Sequence, residues 1–141
     1  MYFRQNLRLS WVIFIYWLLL GTTLPVPVQA QTLSWKRQLG TSSSDSSNGV
    51  ATDRNGNVYV SGITYGSLAG ANQGTIDAWV AKYNSSGTLV WKRQLGTDSE
   101  DRSNGVATDS NGNVYISGYT QGSLAGANQG AIDAWVVKYT Q

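Results

Sequence analysis

Two Asp-x-Asn-x-Asn stretches carry the residue types and the spacing with which a calcium-binding loop begins. They lie at residues 53–57 and 109–113. A calcium loop of this kind places glycine sixth and a bidentate glutamate twelfth, but here glycine is fourth and threonine is twelfth. Because Asn and Gly both tolerate positive φ, the pattern favours a tight hairpin turn at Asn55-Gly56. We predict no metal site and no cofactor.

Catalytic side chains are scarce in this sequence. It contains no histidine and no cysteine, which removes the Ser-His-Asp triad and the cysteine nucleophile from consideration. A Ser-Lys pair would need a buried lysine, and Lys82 and Lys138 are expected to keep their amino groups in solvent. Nothing in the sequence places two aspartates at the separation that glycosidases use. We therefore predict that the protein is not an enzyme.

The aspartates are expected to have structural roles. Asp77 and Asp133 each precede an Ala-Trp pair. We expect them to accept backbone N–H groups and to fix a corner of the fold. Asp45 and Asp101 lie in stretches rich in Ser and Thr, and we expect them to be solvated turn residues.

Aromatic side chains are the best candidates for ligand contact. Trp79 and Trp135 lie in strand-like stretches, whereas Tyr65 and Tyr119 lie close to a glycine-rich loop. Flat aromatic faces suit sugar rings. The alternative, which we favour for the two tryptophans, is that strand aromatics fill the space between packed sheets.

An internal duplication carries these residues. Residues 35–83 align with residues 91–139 at an offset of 56, and the two copies differ at nine of 49 positions. The first copy reads as short strands separated by turn signals, at residues 49–52, 58–61, 77–83 and 88–95. The pattern predicts an all-β fold of two four-stranded antiparallel blade-like repeats, with the repeats at about residues 35–90 and 91–141.

Three motifs in each copy resemble a known bacterial repeat. They are W-x-x-Q-x-G, then G-N-V-Y-[VI]-S-G, then D-A-W-V-x-K-Y. These motifs resemble the SBBP family of β-propeller repeats, and the resemblance covers residues 34–140. It implies a partial or oligomer-completed propeller in an extracellular or surface setting, with no enzymatic activity common to the family.

The order of the strands predicts a shifted pair of blades. A strand of the fourth type, at residues 32–39, opens the domain, and the second copy stops after its third strand. Two blades are too few for a ring of about four to eight. Three outcomes stay open: several chains complete a propeller together, the chain is a piece of a longer repeat protein, or the two blades persist as an open pair whose edges invite association.

Residues 1–30 read as a secretory signal peptide. Two arginines precede an apolar run at residues 11–20, and a small-x-small pattern predicts cleavage between Ala30 and Gln31. The alternative is an uncleaved anchor, although this run is shorter than the about 20 residues that span a membrane. Cleavage removes two of the ten basic residues and none of the eight acidic ones, which leaves no basic surface for nucleic acid.

These features together predict a secreted, periplasmic or cell-surface protein of bacterial type, occupying residues 31–141 after cleavage. Its expected function is non-catalytic, as a binding or scaffold module whose blade edges or loops meet further copies, another protein or a carbohydrate. The alternative function is a lectin-like carbohydrate-binding protein assembled from several two-blade chains. No stable membrane span is expected after cleavage.

Overall fold

The computed structural model describes residues 30–140, and within this range the chain forms seven β-strands and no helix. The strands are β1 Asp45–Thr52, β2 Val58–Thr64, β3 Asp77–Tyr83, β4 Leu89–Leu95, β5 Asp101–Thr108, β6 Val114–Thr120 and β7 Asp133–Tyr139. All strand pairs within the sheets are antiparallel. The predicted all-β, propeller-type fold is confirmed. The predicted signal peptide lies outside the described residues, apart from the exposed Ala30.

Sheet 1 consists of the four strands of the first repeat in the order β1-β2-β3-β4. The first turn closes with a 3.1 Å hydrogen bond from the amide of Gly56 to the carbonyl of Asp53, and Gly56 has a φ of 74°. Asn55 keeps a negative φ. The hairpin turn is therefore confirmed, but it is a type I turn followed by a glycine bulge and not a turn with two positive φ angles.

The first two strands are longer than the sequence predicts. β1 begins at Asp45 instead of residue 49, and β2 continues to Thr64 instead of ending at residue 61. A β-bulge after Ser47 interrupts the ladder between them. The polar Ser-rich stretch pairs in spite of its weak strand propensity, because a neighbouring strand satisfies its backbone groups.

Sheet 2 consists of three strands of the second repeat in the order β5-β6-β7. Each pair has the register of its counterpart in sheet 1, shifted by 56 residues. Among the described residues no strand pairs with the outer edge of β7. The described part of the second repeat therefore contributes three strands, whereas the first repeat contributes four.

The predicted opening strand at residues 32–39 is wrong, since no residue from 30 to 44 belongs to a strand. We call residues 34–40 the opening segment. Leu39 packs against the buried face of sheet 1 that carries Trp79, and the ring of Trp35 stacks on Tyr83 of that face. The segment thus lies over a face of the sheet and has no strand edge beside it, so it cannot form a ladder.

The core lies between the two sheets, in an interface that we call the seam. Tyr59, Ala78 and Val80 of sheet 1 pack there against Val114, Ile116 and Trp135 of sheet 2. Trp91 of β4 completes the seam, with its ring centroid 5.9 Å from that of Tyr139. Alternate residues of each strand face opposite sides of a sheet, so β3 presents Val80 to the seam and Trp79 to the opposite face.

Candidate functional site

The side chain of Gln94 fixes the outer strand of sheet 1 to the loop between β2 and β3. Its amide nitrogen donates to the carbonyl of Gly66 at 3.0 Å and to the carboxylate of Asp77 at 2.8 Å. Its amide oxygen accepts a 2.9 Å hydrogen bond from the backbone of Ala69. On the same face, Lys92 donates to the carbonyl of Leu68. The outer strand thus contributes side-chain bonds in addition to its backbone ladder.

Sheet 2 contains the same receiving groups, and no described residue forms an outer strand beside them. The counterparts of Gly66, Ala69 and Asp77 are Gly122, Ala125 and Asp133. Together they line a cavity of about 370 Å³ beside Trp135, which we call the glutamine slot. Within residues 30–140 nothing bonds to the Ala125 amide. The slot is therefore shaped for a glutamine that no described residue provides.

The outer face of sheet 2 is exposed and apolar beside the free edge of β7. Val136 is 68% exposed, whereas its counterpart Val80 is fully buried in the seam. Ala134, on the same face, is also exposed. Apolar residues next to an unpaired edge are the usual features of a surface that accepts another strand or sheet.

A second groove of about 270 Å³ lies on the far face of sheet 1, opposite the seam. We call it the Trp79 groove, and its lining includes Trp35, Leu39, Val60, Trp79 and Tyr83. The opening segment forms one of its walls. The matching face of sheet 2, which carries Trp135, is covered by sheet 1 in the seam.

The structure places the two candidate tryptophans in packed positions. Trp79 and Trp135 are both buried, and the indole nitrogen of Trp79 donates to the carbonyl of Ile63 at 2.9 Å. The indole nitrogen of Trp135 has no hydrogen-bond partner among the described residues. Their burial favours the packing interpretation over stacking on a sugar.

The two candidate tyrosines meet at one end of the seam. The Tyr119 hydroxyl donates to the carboxylate of Glu100 at 3.1 Å, and Glu100 forms an ion pair with Arg102. Tyr65, which is 42% exposed, also interacts with Arg102. The hydrogen bond from Arg102 lowers the pKa of Glu100, against the effect of burial. Burial and the bond to Glu100 raise the pKa of Tyr119.

This tyrosine cluster occurs once in the described residues, because the first repeat has other side chains there. Ser44, Ser46 and Ile63 stand where the second repeat has Glu100, Arg102 and Tyr119. Sequence reasoning found the two tyrosines but missed the charged pair. The comparison of the two copies could have indicated this pair, since positions 44, 46 and 63 are among the nine that differ between the copies.

Asp45 and Asp101 are not solvated turn residues, so that prediction is wrong. Each is the first residue of a strand, and Asp101 is fully buried. The carboxylate of Asp101 accepts bonds from the amide and the hydroxyl of Thr97, at 2.5 and 2.8 Å. Asp45 makes the same pair of bonds to Thr41. Local hydrogen bonding makes burial of the carboxylates tolerable.

Asp77 fixes a corner of the fold as predicted, by accepting the backbone N–H of Gln73 at 2.9 Å. Asp133 makes the equivalent bond to Gln129 at 2.7 Å. Gln38 and Gln94 were not recognised from the sequence as residues of interest. The feature that could have indicated them is a glutamine that lies, in both copies, on the opposite side of the strand pattern from its neighbouring Trp and Leu.

The Asp-x-Asn-x-Asn stretches have a structural role in their turns. Asp109 accepts bonds from the amides of Asn111 and Asn113, from the Asn113 side chain and from the Tyr115 hydroxyl. The bond from the Asn113 side chain makes the largest contribution to the lowered pKa of Asp109, which is about 2. In residues 30–140 no group of three His, Cys, Asp or Glu side chains is placed to hold a metal ion.

The fold and its open edges define a repeat protein of the β-propeller type. The chain belongs to the SBBP beta-propeller repeat family, whose model matches residues 34–69 and 90–125. It is also 39% identical over 46 residues to an uncharacterized WD repeat-containing protein of Acanthamoeba polyphaga mimivirus. That match covers 33% of this chain and spans only 3% of the relative's length. Both likenesses support a repeat-based binding or scaffold module.

The part of the chain that the structure describes holds no helix long and apolar enough to cross a membrane. The apolar run at residues 11–20 falls outside that part.

Proposed function

We propose that this chain is an exported, non-catalytic binding module that recruits a β-rich partner by strand addition at β7. The free outer edge of β7 beside the glutamine slot is the observation that supports this function. In strand addition, backbone hydrogen bonds contribute affinity, and pockets for alternate side chains contribute specificity. The edge of β7 provides the first, and the slot formed by Gly122, Ala125 and Asp133 provides the second.

The first repeat indicates which kind of strand fits. In β4, Gln94 enters the site equivalent to the slot while Trp91 and Leu95 face the seam. A partner strand with the pattern Trp-x-x-Gln-Leu would place its glutamine in the slot. Its Trp and Leu would point to the opposite side of the strand.

A labelled peptide with the sequence of residues 88–96 tests this function by fluorescence anisotropy. We expect saturable binding to the purified chain, and loss of binding of about tenfold or more when the glutamine of the peptide is replaced by alanine. A scrambled peptide of the same composition is the matched control. Equal binding of all three peptides by the monomeric chain, or binding of none of them, would contradict strand addition at β7.

The export proposal rests on the signal-like residues 1–30 and has its own test. When the full chain is produced in a bacterial host, we expect mass spectrometry of the exported protein to find Gln31 at the N-terminus. Retention of the intact chain in the cytoplasm would contradict export without affecting the binding proposal.

Carbohydrate binding is a second candidate function, and the tyrosine cluster is the observation that favours it. Tyr65 presents an exposed ring beside Arg102 and Glu100, so an aromatic face and charged hydrogen-bonding groups lie together. We expect a glycan-array signal that disappears in the Tyr65→Ala variant and persists in Tyr139→Phe, whose ring lies in the seam. Absence of a signal from the unaltered chain would refute this candidate.

A further inference from the structure

We infer that the strand donor at β7 is a second copy of this chain, which inserts its opening segment there and places Gln38 in the glutamine slot. This inference rests on the proposed function and names the partner. In the same contact, the outer face of sheet 2 of the first copy covers the Trp79 groove of the second. The strand insertion and the covering of the groove would both repeat, between two copies, the packing that the two repeats already show in the seam of one chain.

The opening segment already lies where an outer strand of a preceding blade would lie. The ring centroids of Trp35 and Tyr83 are 6.2 Å apart, and those of their counterparts Trp91 and Tyr139 are 5.9 Å apart. Arg37 lies 6.0 Å from the Trp35 ring, and Arg93 lies 5.9 Å from the Trp91 ring. The segment therefore packs on sheet 1 much as β4 packs on sheet 2, although it lacks a sheet of its own.

The side chains needed for the slot are exposed and form no bonds within the described part of the chain to which they belong. Lys36 and Gln38 are exposed, and neither side chain bonds to another described residue. Their counterparts Lys92 and Gln94 bind the β2–β3 loop. The register of β3 with β4 pairs Trp79 with Gln94. If the opening segment of another copy pairs with β7 in the same register, Gln38 lies opposite Trp135, beside the slot.

The exposed apolar residues of sheet 2 match buried residues of the seam. Val136 is 68% exposed where Val80 is fully buried, and Ile132 is 57% exposed where Ile76 is 3% exposed. When sheet 2 of one copy covers the Trp79 groove of another, these residues occupy the positions of Val80 and Ile76. Removing this apolar area from water favours the contact.

The polar bonds of the seam can also be repeated between copies. Within one chain, the Asn48 side chain donates to the carbonyl of Ser103 at 2.7 Å, and the Thr108 hydroxyl donates to the carbonyl of Thr52 at 2.8 Å. The counterparts of these residues in the other repeat have the same side chains: Asn104 corresponds to Asn48, Ser47 to Ser103, and Thr52 to Thr108. Asn104 of one copy would donate to Ser47 of the next, and Thr52 would donate to Thr108 in return.

This contact joins two different surfaces and is therefore heterologous, so each added copy leaves one free edge and one free groove until a ring closes. Rings of about four to eight blades correspond to about two to four copies. We expect light scattering of the purified chain to give a mass of at least two chains.

Engineered disulfides can detect the contact between copies directly, because the chain has no cysteine of its own that could form other cross-links. The pair Val80 and Arg93 is directly opposed in the ladder of β3 and β4, so Val136 and Arg37 should be opposed between copies, within disulfide reach. Under mild oxidation we expect the Arg37→Cys, Val136→Cys chain to form cross-linked multimers. The Val90→Cys, Val136→Cys chain is the matched control and should stay uncross-linked, since Val90 lines neither the Trp79 groove nor the glutamine slot.

Point variants distinguish a loss of assembly from a loss of folding. Gln38→Ala should raise the concentration at which half the chains dissociate by about tenfold, with an unchanged circular dichroism spectrum. Val136→Asp should abolish assembly, because the contact would bury its charge. Val90→Asp, at another exposed valine (52%), should leave assembly intact.

Two results would overturn the inference. One is a folded monomer at all concentrations together with binding of the peptide of residues 88–96, which would keep the proposed function and assign β7 to a different strand donor. The other is assembly that persists unchanged in Gln38→Ala and Val136→Asp, which would place the contact elsewhere. Failure of the peptide to bind a monomeric chain would instead refute the proposed function.

Discussion

The side-chain amide of Gln94 donates a 2.8 Å hydrogen bond to the carboxylate of Asp77, and this bond joins the outer strand of sheet 1 to the corner at which β3 begins. The same carboxylate holds the amide of Gln73. The arrangement makes the outer strand a specific part of the blade, because its glutamine fits one site. It also explains why the second repeat, with Asp133 at the same corner, offers a defined site for a strand.

Gln94→Ala should lower the free energy of unfolding by about 2 kcal/mol, because it leaves the partners of three hydrogen bonds unsatisfied. Gln38→Ala is the matched control, since that side chain bonds to no described residue, and should change stability by less than about 0.5 kcal/mol. Urea unfolding below the concentration of self-association measures both. Equal losses would show that Gln94 does not fix the outer strand.

Gly62→Ala should destabilise the chain by about 2 kcal/mol or more, because an added Cβ would lie 1.9 Å from the carbonyl oxygen of Ser46 at the bulge between β1 and β2. Gly126→Ala, where the added methyl meets nothing within 4 Å, should be near neutral. Thermal unfolding followed by circular dichroism would compare the two. A small effect at Gly62 would mean that the bulge relaxes easily.

Asp109 should make stability fall in acid. Its pKa is lowered from 3.8 to about 2 in the folded chain. A lowered folded pKa means that its contribution is fully present above the unfolded pKa of 3.8 and is lost as pH falls toward 2. We expect the stability advantage of the unaltered chain over Asp109→Asn to shrink between pH 5 and pH 2. Urea midpoints measured across that range provide the comparison.

A constant difference between Asp109→Asn and the unaltered chain from pH 5 to pH 2 would refute the assignment.

Glu100→Gln should lower the pKa of Tyr119. Burial makes the largest contribution to the raised pKa of Tyr119, and the hydrogen bond to the Glu100 carboxylate raises this pKa further. The substitution removes only the contribution of Glu100. Tyr139, whose pKa is raised by burial and which lies in the seam, should be unaffected. Titration of ¹³C-labelled tyrosine rings by NMR distinguishes the two. An unchanged Tyr119 would show that the contact with Glu100 does not persist in solution.

Local features of the sequence were sufficient for the strands and turns. The alternation in residues 77–83, the Asn-Gly pair at residue 56 and the 56-residue offset depend only on neighbours along the chain or on the comparison of two copies. These features fixed the all-β fold and its division into repeats. The third strand was even predicted with its observed bounds.

The positions of Asp101 and of the opening segment could not be predicted in the same way. Asp101 is polar and its neighbours are polar, yet it is fully buried by the strand pairing and bonded to Thr97. The opening segment has the sequence of a strand, but whether it forms one depends on an edge that the described chain does not provide beside it. Both outcomes depend on contacts between distant parts of the chain.

The sequence by itself determined that residues 35–139 contain two copies of one β-rich repeat and where most of their strands and turns lie. Short-range patterns encode strands and turns, so they can be read without coordinates. Only the tertiary structure decided that Trp79 and Trp135 are buried, that Tyr65 and Tyr119 meet at Arg102 and Glu100, and that Gln94 fills a site whose counterpart is open. Those relationships join side chains far apart in the sequence, and only packing of the two sheets brings them together.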